Sequence, residues 1–162
     1  MDLVTKQEFR NFELELEWKV SPGGNGGIFY RAGEDDKEIW HSAPEIQVLD
    51  DGKHGDGKNP KTSAASLYAL VAPVGKRLRP VGEFNHFRLV LNRHHGEHWL
   101  NGVKVVEYEL GSRIKRGGIF RVDQNAECIV RAKPGACEKP TLSAISAFLQ
   151  FANGENSGQS RI

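Results

Sequence analysis

Hydrophobic and polar residues alternate along several short stretches of the chain, and each stretch predicts a half-buried β-strand. The clearest is FELELEWKV at residues 12–20, which places aromatic and aliphatic side chains on one face and three glutamates and a lysine on the other. Similar but shorter patterns recur along the chain and predict further strands at 27–32, 45–50, 84–92, 97–100 and 103–108.

Turn-forming residues separate these strands. Asn101-Gly102 between two β-rich runs predicts a two-residue hairpin, since both residues tolerate positive φ. The segment 51–64 reads as a long surface loop, and loops of that size are usually functional or mobile. A short strand is predicted at 66–71.

The C-terminal segment, residues 113–162, has a weaker pattern. It contains candidate strands at 119–122 and 128–130, and apolar residues at helical spacing predict a short helix at 142–152. Many short strands with little helix favour an all-β fold, an antiparallel sandwich or barrel.

Composition narrows the class of protein. The 162 residues are enough for one domain, and 18 glycines with seven prolines suit a turn-rich β protein. A net charge of +1 predicts neither a nucleic-acid nor an anionic-membrane partner. No run of 18 apolar residues exists, so no membrane span is expected, and the first residues do not resemble a signal peptide.

Four polar residues lie where the strands between 23 and 50 should present packing residues: Arg31, Glu45, Gln47 and Asp50. Such groups are costly to bury unless they pair with each other, a metal or a polar ligand such as a sugar. Glu45 could be a base or metal ligand, or an edge-strand glutamate in solvent. Gln47 could bond sugar hydroxyls, or be satisfied within the sheet.

Arg31 could clamp a hydroxyl or enolate oxygen with its planar guanidinium, or form an ion pair with Glu45 or Asp50. Asp50 could ligate a hard cation, or belong to an Asp-Asp-Gly turn that needs no ligand. His98 could donate a proton near neutral pH or bind a metal, or lie on the surface of its hairpin.

Four further residues complete the candidate set. Trp40 could stack on a sugar face with His41 beside it, or pack against the sheet edge. Asn25 leads into a strand whose glycines permit close approach of a ligand to the backbone, and Tyr30 lies on the same strand. His54 is read as a solvated loop residue.

Four motifs together resemble the 3-keto-disaccharide hydrolase domain family over about residues 5–112. They are, in order, NGGIFYR, PEIQVLDD, VGEFNHFRLVLN and EHWLNGVKVVEYEL. The resemblance implies a jelly-roll β-sandwich of the concanavalin A-like type in residues 1–112, followed by a divergent tail at 113–162. The family's N-terminal segment and closing strands are not recognisable, which predicts an incomplete sandwich.

The resemblance also implies an activity: cleavage of 3-keto-glycosides by elimination and hydration. It assigns catalysis to Glu45, His98 and Arg31, and substrate binding to Gln47, Trp40, His41, Tyr30 and Asn25. A divalent metal ion of unknown identity could bind at Asp50 and Glu45, whereas no nucleotide or organic cofactor is expected. It implies a periplasmic or extracellular location. The alternatives are a non-catalytic carbohydrate-binding module and an inactive fragment.

Overall fold

The structure is a computed structural model that describes residues 3–4, 9–32, 43–110, 119–123, 128–132 and 160–161. The strands are β1 Leu3–Val4, β2 Phe12–Val20, β3 Asn25–Ala32, β4 Glu45–Leu49, β5 Asn85–Asn92, β6 His95–Leu100, β7 Val103–Glu109, β8 Ile119–Asp123, β9 Cys128–Ala132 and β10 Ser160–Arg161.

The strands form two five-stranded sheets. The site sheet has the order β10-β1-β8-β3-β4, and the back sheet has the order β7-β6-β5-β2-β9. Neighbouring strands are antiparallel except β1 and β10, which are parallel. One hydrophobic cluster draws side chains from both sheets. The predicted all-β sandwich is therefore confirmed.

The alternating pattern determines which side chains form the core. Along β2, buried and half-buried residues alternate without interruption from Phe12 to Val20. The apolar face of β2 packs into the core, where Trp18 is 1% exposed, and its glutamates face outward. At the β6–β7 hairpin, Asn101 and Gly102 have φ of 49° and 84°, which confirms the predicted positive-φ turn.

Each sheet includes one strand from the segment after residue 112, β8 in the site sheet and β9 in the back sheet. β8 lies between β1 and β3, and β9 pairs with β2, so the strands predicted near 119–122 and 128–130 are confirmed. The predicted helix at 142–152 lies outside the described residues. Because β8 pairs with β3, the strand that carries the NGGIFYR motif is bonded to a neighbour on both sides.

The predicted strand at 66–71 is wrong. Ala65 and Ala69 have φ of 65° and 60°, a left-handed conformation that interrupts extended backbone, and only isolated bridges at Leu67 remain. The segment instead covers the outer edge of β4 through hydrogen bonds from Ala65 N to Gln47 O (2.8 Å) and from Tyr68 N to Glu45 O (2.9 Å). This edge is thereby protected from pairing with another chain.

The long loop at 51–64 has structure of its own. It contains a 3-10 helix, Gly55–Lys58, and its position is fixed by Lys76. The Lys76 ammonium donates to Asp51 Oδ2 (2.5 Å), Ser63 Oγ (2.6 Å) and Ala64 O (3.3 Å). Among the described residues, no helix is long and apolar enough to span a membrane.

Candidate functional site

A cleft of about 490 Å³ opens on the outer face of the site sheet, beside β3, β4 and the loop that follows β4. This volume lies within the range of small-molecule pockets. Side chains alternate along the strands, so those facing the cleft are the ones between core positions such as Ile28 and Ile46. The polar side chains that line it are Asn25, Glu45, Gln47, Asp56 and Tyr68.

Glu45 lies at the centre of this polar lining. β3 and β4 pair antiparallel with Phe29 opposite Glu45 and Gly27 opposite Gln47. A Cβ atom on Gly27 would collide with the Glu45 carboxylate, so that carboxylate lies directly over the backbone of Gly27. The glycine-rich entry of β3 therefore makes room for an acidic side chain inside the cleft.

Gln47 fixes the orientation of that carboxylate. In the amide orientation that satisfies both of its polar atoms, the Gln47 nitrogen donates to Gly26 O (3.1 Å) and to Glu45 Oε1 (3.3 Å). The side chain is 1% exposed, so it is held in place rather than free to rotate in solvent. Glu45 and Gln47 thus form a hydrogen-bonded pair on the cleft face of β4.

Tyr68 and Asp56 complete the site, and of these two residues sequence reasoning missed Tyr68. Burial, and then the charges of Asp56 and Glu45, raise the pKa of Tyr68 above its usual value. The Tyr68 hydroxyl therefore stays protonated in a cleft that it lines together with these two carboxylates. The 51–64 loop is the signal for Asp56, because long loops in compact domains are often functional and this loop offers carboxylate oxygens after Asp50.

Asn25 connects the cleft to the loop. Its Nδ2 lies 3.5 Å from Nε2 of His54, and the backbone N–H of Asp56 donates to Nδ1 of His54 (3.2 Å). His54 was read as a solvated loop residue; the structure places it as the cap of the 3-10 helix, where it positions Asp56.

Arg31 does not reach the cleft. It has φ of 55°, and the pairing of β3 with β8 shifts register between Phe29 and Ala32, so the alternation of side chains is interrupted. Arg31 is 2% exposed, and its guanidinium donates to the carbonyls of Arg10 and Arg93. In the part of the chain that the structure describes, Arg31 forms no ion pair with Glu45 or Asp50.

His98 and Tyr30 lie in the core rather than the cleft. The His98 ring is fully buried, and the rings of Tyr30, Phe87 and Tyr108 lie edge-on to it with centroids at 6.5, 5.4 and 5.4 Å. Its Nδ1 donates to Ala65 O (3.1 Å), and burial lowers the pKa of His98 to about 4. Burial also raises the pKa of Tyr30 well above its usual value, and its hydroxyl bonds that of Tyr108. Both residues are placed to pack the two sheets together.

Asp50 caps a turn. Its carboxylate accepts from the backbone N–H of Gly23 (2.7 Å) and of Gly52 (2.9 Å), and it is 5% exposed. The Gly23 N–H, more than any other group, holds the pKa of Asp50 below its usual value. This geometry is that of the Asp-Asp-Gly turn, and each oxygen of the Asp50 carboxylate accepts a backbone hydrogen bond within it. Trp40 and His41 lie outside the described residues.

One other cluster has the composition of a metal site. His95, Glu97 and Glu107, on the outer face of the back sheet, place potential ligand atoms within 4.8 Å of one another. Lys104 donates to Glu97 Oε1 (3.3 Å) and Glu107 Oε2 (2.8 Å), so both carboxylates already have a cationic partner. The cluster is an ion-pair network on the surface of the sheet opposite the cleft.

Comparison with known proteins places the chain in a family. A family model described as the 3-keto-alpha-glucoside-1,2-lyase-like domain matches residues 1–134, which extends beyond the motifs that end near residue 112. A curated protein of Bacteroides thetaiotaomicron named 3-keto-disaccharide hydrolase is 42% identical over 125 residues, or 69% of this chain. The chain spans 43% of the length of that relative.

Solved structures support the fold. A crystal structure from Parabacteroides distasonis, provisionally described as a glycosyl hydrolase, superposes with a TM-score of 0.70 at 25% identity, covering 78% of this chain and 70% of that one. The carbohydrate-binding module CBM66 of Bacillus subtilis superposes with a TM-score of 0.52 at 14% identity, covering 79% and 74%, a likeness of fold alone. The predicted jelly-roll sandwich is confirmed, and the chain belongs to the 3-keto-alpha-glucoside-1,2-lyase-like domain family.

Proposed function

We propose that this chain cleaves 3-keto-glycosides by elimination followed by hydration, with Glu45 as the base. The observation that carries the proposal is the pose of Glu45: its carboxylate lies over Gly27, is oriented by Gln47 and faces an open polar cleft. The name of the Bacteroides relative, 3-keto-disaccharide hydrolase, supports the choice of substrate.

The chemistry follows from the ketone. A carbonyl at C3 of the sugar acidifies the hydrogen on C2, so a carboxylate can remove it as a proton. The electron pair left on C2 forms an enolate with the C3 oxygen. That enolate reforms the ketone as the C1–O bond breaks, leaving a C1–C2 double bond. Water then adds across this double bond, which yields the free 3-keto sugar and the released alcohol.

The leaving group needs a proton, and Tyr68 is the described donor beside Glu45. Tyr68 lines the cleft with Glu45 and Asp56, and the raised pKa of its hydroxyl keeps the proton available. This is the role that sequence reasoning proposed for His98. The Asn25 amide is a neutral donor that could stabilise negative charge on the substrate's oxygens, whereas both N–H groups of Gln47 are bonded to Gly26 O and Glu45 Oε1.

A divalent metal ion stays part of the proposal. Glu45 and Asp56 are carboxylates that line the cleft, and oxygen donors of this kind suit a hard cation that also binds substrate oxygens. Such an ion would polarise the C3 carbonyl. Asp50 is not included, because its oxygens accept hydrogen bonds from backbone N–H groups.

The decisive experiment is turnover of a 3-keto-glucoside by the purified chain and by Glu45→Gln. We expect turnover by the parent chain and a loss of about 100-fold or more in the variant, the lower range of general-base effects. Glu83→Gln, a change at an exposed carboxylate outside the cleft, is the matched control. Binding of unoxidised glycans without turnover would favour a carbohydrate-binding module, and absence of a cooperative thermal transition would favour an inactive fragment.

A further inference from the structure

His54 lies between two polar residues that line the cleft, Asn25 and Asp56, and it contacts each of them through a different ring nitrogen. Its Nε2 lies 3.5 Å from the side-chain amide of Asn25. Its Nδ1 accepts the backbone N–H of Asp56 (3.2 Å) and so caps the 3-10 helix. The backbone of His54 is fixed in turn, since its N–H donates to Asp50 O (3.0 Å).

These two contacts determine which ring nitrogen of His54 carries the proton. A neutral imidazole has one N–H and one acceptor nitrogen, so it cannot accept hydrogen bonds at both positions. The backbone N–H of Asp56 can only donate, which places the acceptor at Nδ1 and the proton on Nε2. The Asp56 carboxylate would favour the opposite tautomer, but its Oδ2 is 3.8 Å from Nδ1, beyond hydrogen-bond distance.

The orientation of the Asn25 amide follows from this tautomer. A proton on Nε2 needs an acceptor, and the Asn25 amide offers one once it is rotated by half a turn, which exchanges its nitrogen and oxygen. In this orientation Oδ1 of Asn25 accepts from Nε2–H of His54. The amide makes no other hydrogen bond with a described residue, so its NH2 group is left as a donor for a ligand in the cleft that Asn25 lines.

We propose that His54 is a positioning residue that holds Asn25 as a donor towards the substrate, and that this selects a keto sugar over its unoxidised counterpart. A ketone or enolate oxygen only accepts hydrogen bonds, so it binds the NH2 group of Asn25 and is repelled by the amide oxygen. A hydroxyl can donate or accept, so it gains little from a fixed amide. The inference rests on the proposed function for the identity of the sugar and its C3 ketone.

The tautomer can be tested without any substrate. Long-range 1H–15N spectra recorded at about pH 8, where imidazole is neutral, show which ring nitrogen carries the proton. The signals of His54 are those that disappear in His54→Asn. We expect the proton on Nε2, and a shift of the Nε2 signal in Asn25→Ala. A proton on Nδ1, or an Nε2 signal that Asn25→Ala leaves unchanged, would overturn the inference.

Calorimetric binding of methyl 3-keto-glucoside and methyl glucoside tests the selection. His54→Asn keeps an acceptor for the Asp56 N–H, since asparagine is a favoured cap, but its side chain is too short to reach Asn25. We expect this variant to bind the keto compound about fivefold more weakly, the size of one neutral hydrogen bond, and methyl glucoside within about twofold of the parent chain. His86→Asn, at a half-exposed histidine of the back sheet, should change neither affinity.

A double variant shows whether His54 acts through Asn25. In the Asn25→Ala background, His54→Asn should change the affinity for the keto compound by less than about twofold. Independent losses from the two changes, or an equal loss for both compounds in His54→Asn, would overturn the inference. Because these experiments measure binding, a chain that selects the keto compound without cleaving it would contradict the proposed function and still support the role of His54.

Discussion

Gly27 and Glu45 are diagonal neighbours on β3 and β4, and the Glu45 carboxylate occupies the space that a side chain on residue 27 would need. Glu45, the base of the proposed reaction, can take this position because Gly27 on the neighbouring strand has no side chain. Gln47, opposite Gly27 in the register, completes the arrangement by donating to Glu45 Oε1.

Replacing Gly27 by alanine should therefore move the carboxylate and leave the fold intact. The colliding atoms are the far end of a flexible side chain, so Glu45 can rotate away without a shift of backbone. We expect kcat to fall by about 10–100-fold, because small misplacements of a catalytic group have effects of this size. Steady-state kinetics and a thermal melt of the variant provide the measurement.

Gly55→Ala is the matched control for this change. A Cβ on Gly55 meets nothing within 4 Å, so activity should stay near that of the parent chain. Unchanged kcat in Gly27→Ala would show that the pose of Glu45 is not what limits the reaction.

Tyr68→Phe tests the proton donor. Removing the hydroxyl beside Glu45 and Asp56 should lower kcat by about 100-fold for a substrate with a poor leaving group, within the range of general acid effects. The loss should shrink for a nitrophenyl leaving group, which departs without a proton. An equal loss for both leaving groups would assign Tyr68 to binding or packing instead.

Stability should depend on pH through His98. Its pKa is about 4 in the folded chain and near 6.5 when unfolded, so between these values only the unfolded state binds the proton. The free energy of unfolding should therefore rise from pH 4 to 6.5, by about 3 kcal/mol in total, and gain nothing from this residue above pH 6.5. Denaturant melts across this range measure the slope.

His98→Phe supplies the comparison, since it keeps an aromatic ring against Phe87 and Tyr108 and removes the titrating group. The slope between pH 4 and 6.5 should be shallower in His98→Phe than in the parent chain. His86→Gln, at a half-exposed histidine, should retain the steep slope. Parallel slopes for the parent chain and His98→Phe would mean that His98 does not stay neutral in the core.

Lys76→Met should loosen the loop that carries Asp56. The ammonium joins Asp51, Ser63 and the carbonyl of Ala64, and losing a partly buried set of charged hydrogen bonds should lower the free energy of unfolding by about 1–3 kcal/mol. KM should rise more than kcat falls, because the loop forms one wall of the cleft. Lys61→Met, at an exposed lysine, is the control, and equal effects of the two changes would argue against a role for this anchor.

The strands were predictable because alternation along the chain reflects a single physical requirement, burial of one face. β2 shows it most plainly, from Phe12 to Val20. The strand prediction failed at 66–71. Ala65 and Ala69 have positive φ there, and positive φ is expected from sequence only at glycine. Alternation also could not show that β8 would pair with β3, since such long-range pairing depends on the whole sheet.

The site was predictable only in part, because alternation along a strand gives the face of a side chain only while the strand stays regular. Period-two alternation placed Glu45 and Gln47 on the cleft face correctly, but the same rule put Arg31 on that face, and a shift in strand register redirected it. His98 occupies a core-facing position of β6. The sequence could not show this, because a histidine is found both in cores and on surfaces. Tyr68 and Asp56 reach the cleft through loop geometry, which has no periodic signal.

The pairing of β3 with β8 also has a consequence for folding kinetics. On one side, β3 is hydrogen-bonded to β4, which is close to it in sequence. On its other side it is hydrogen-bonded to β8, residues 119–123, which are far from it in sequence. Contacts of such large sequence separation form slowly, because the entropy of closing a long loop must be overcome first. We expect the back sheet, built largely from the locally connected β5, β6 and β7, to form early, and the floor of the cleft to become ordered last.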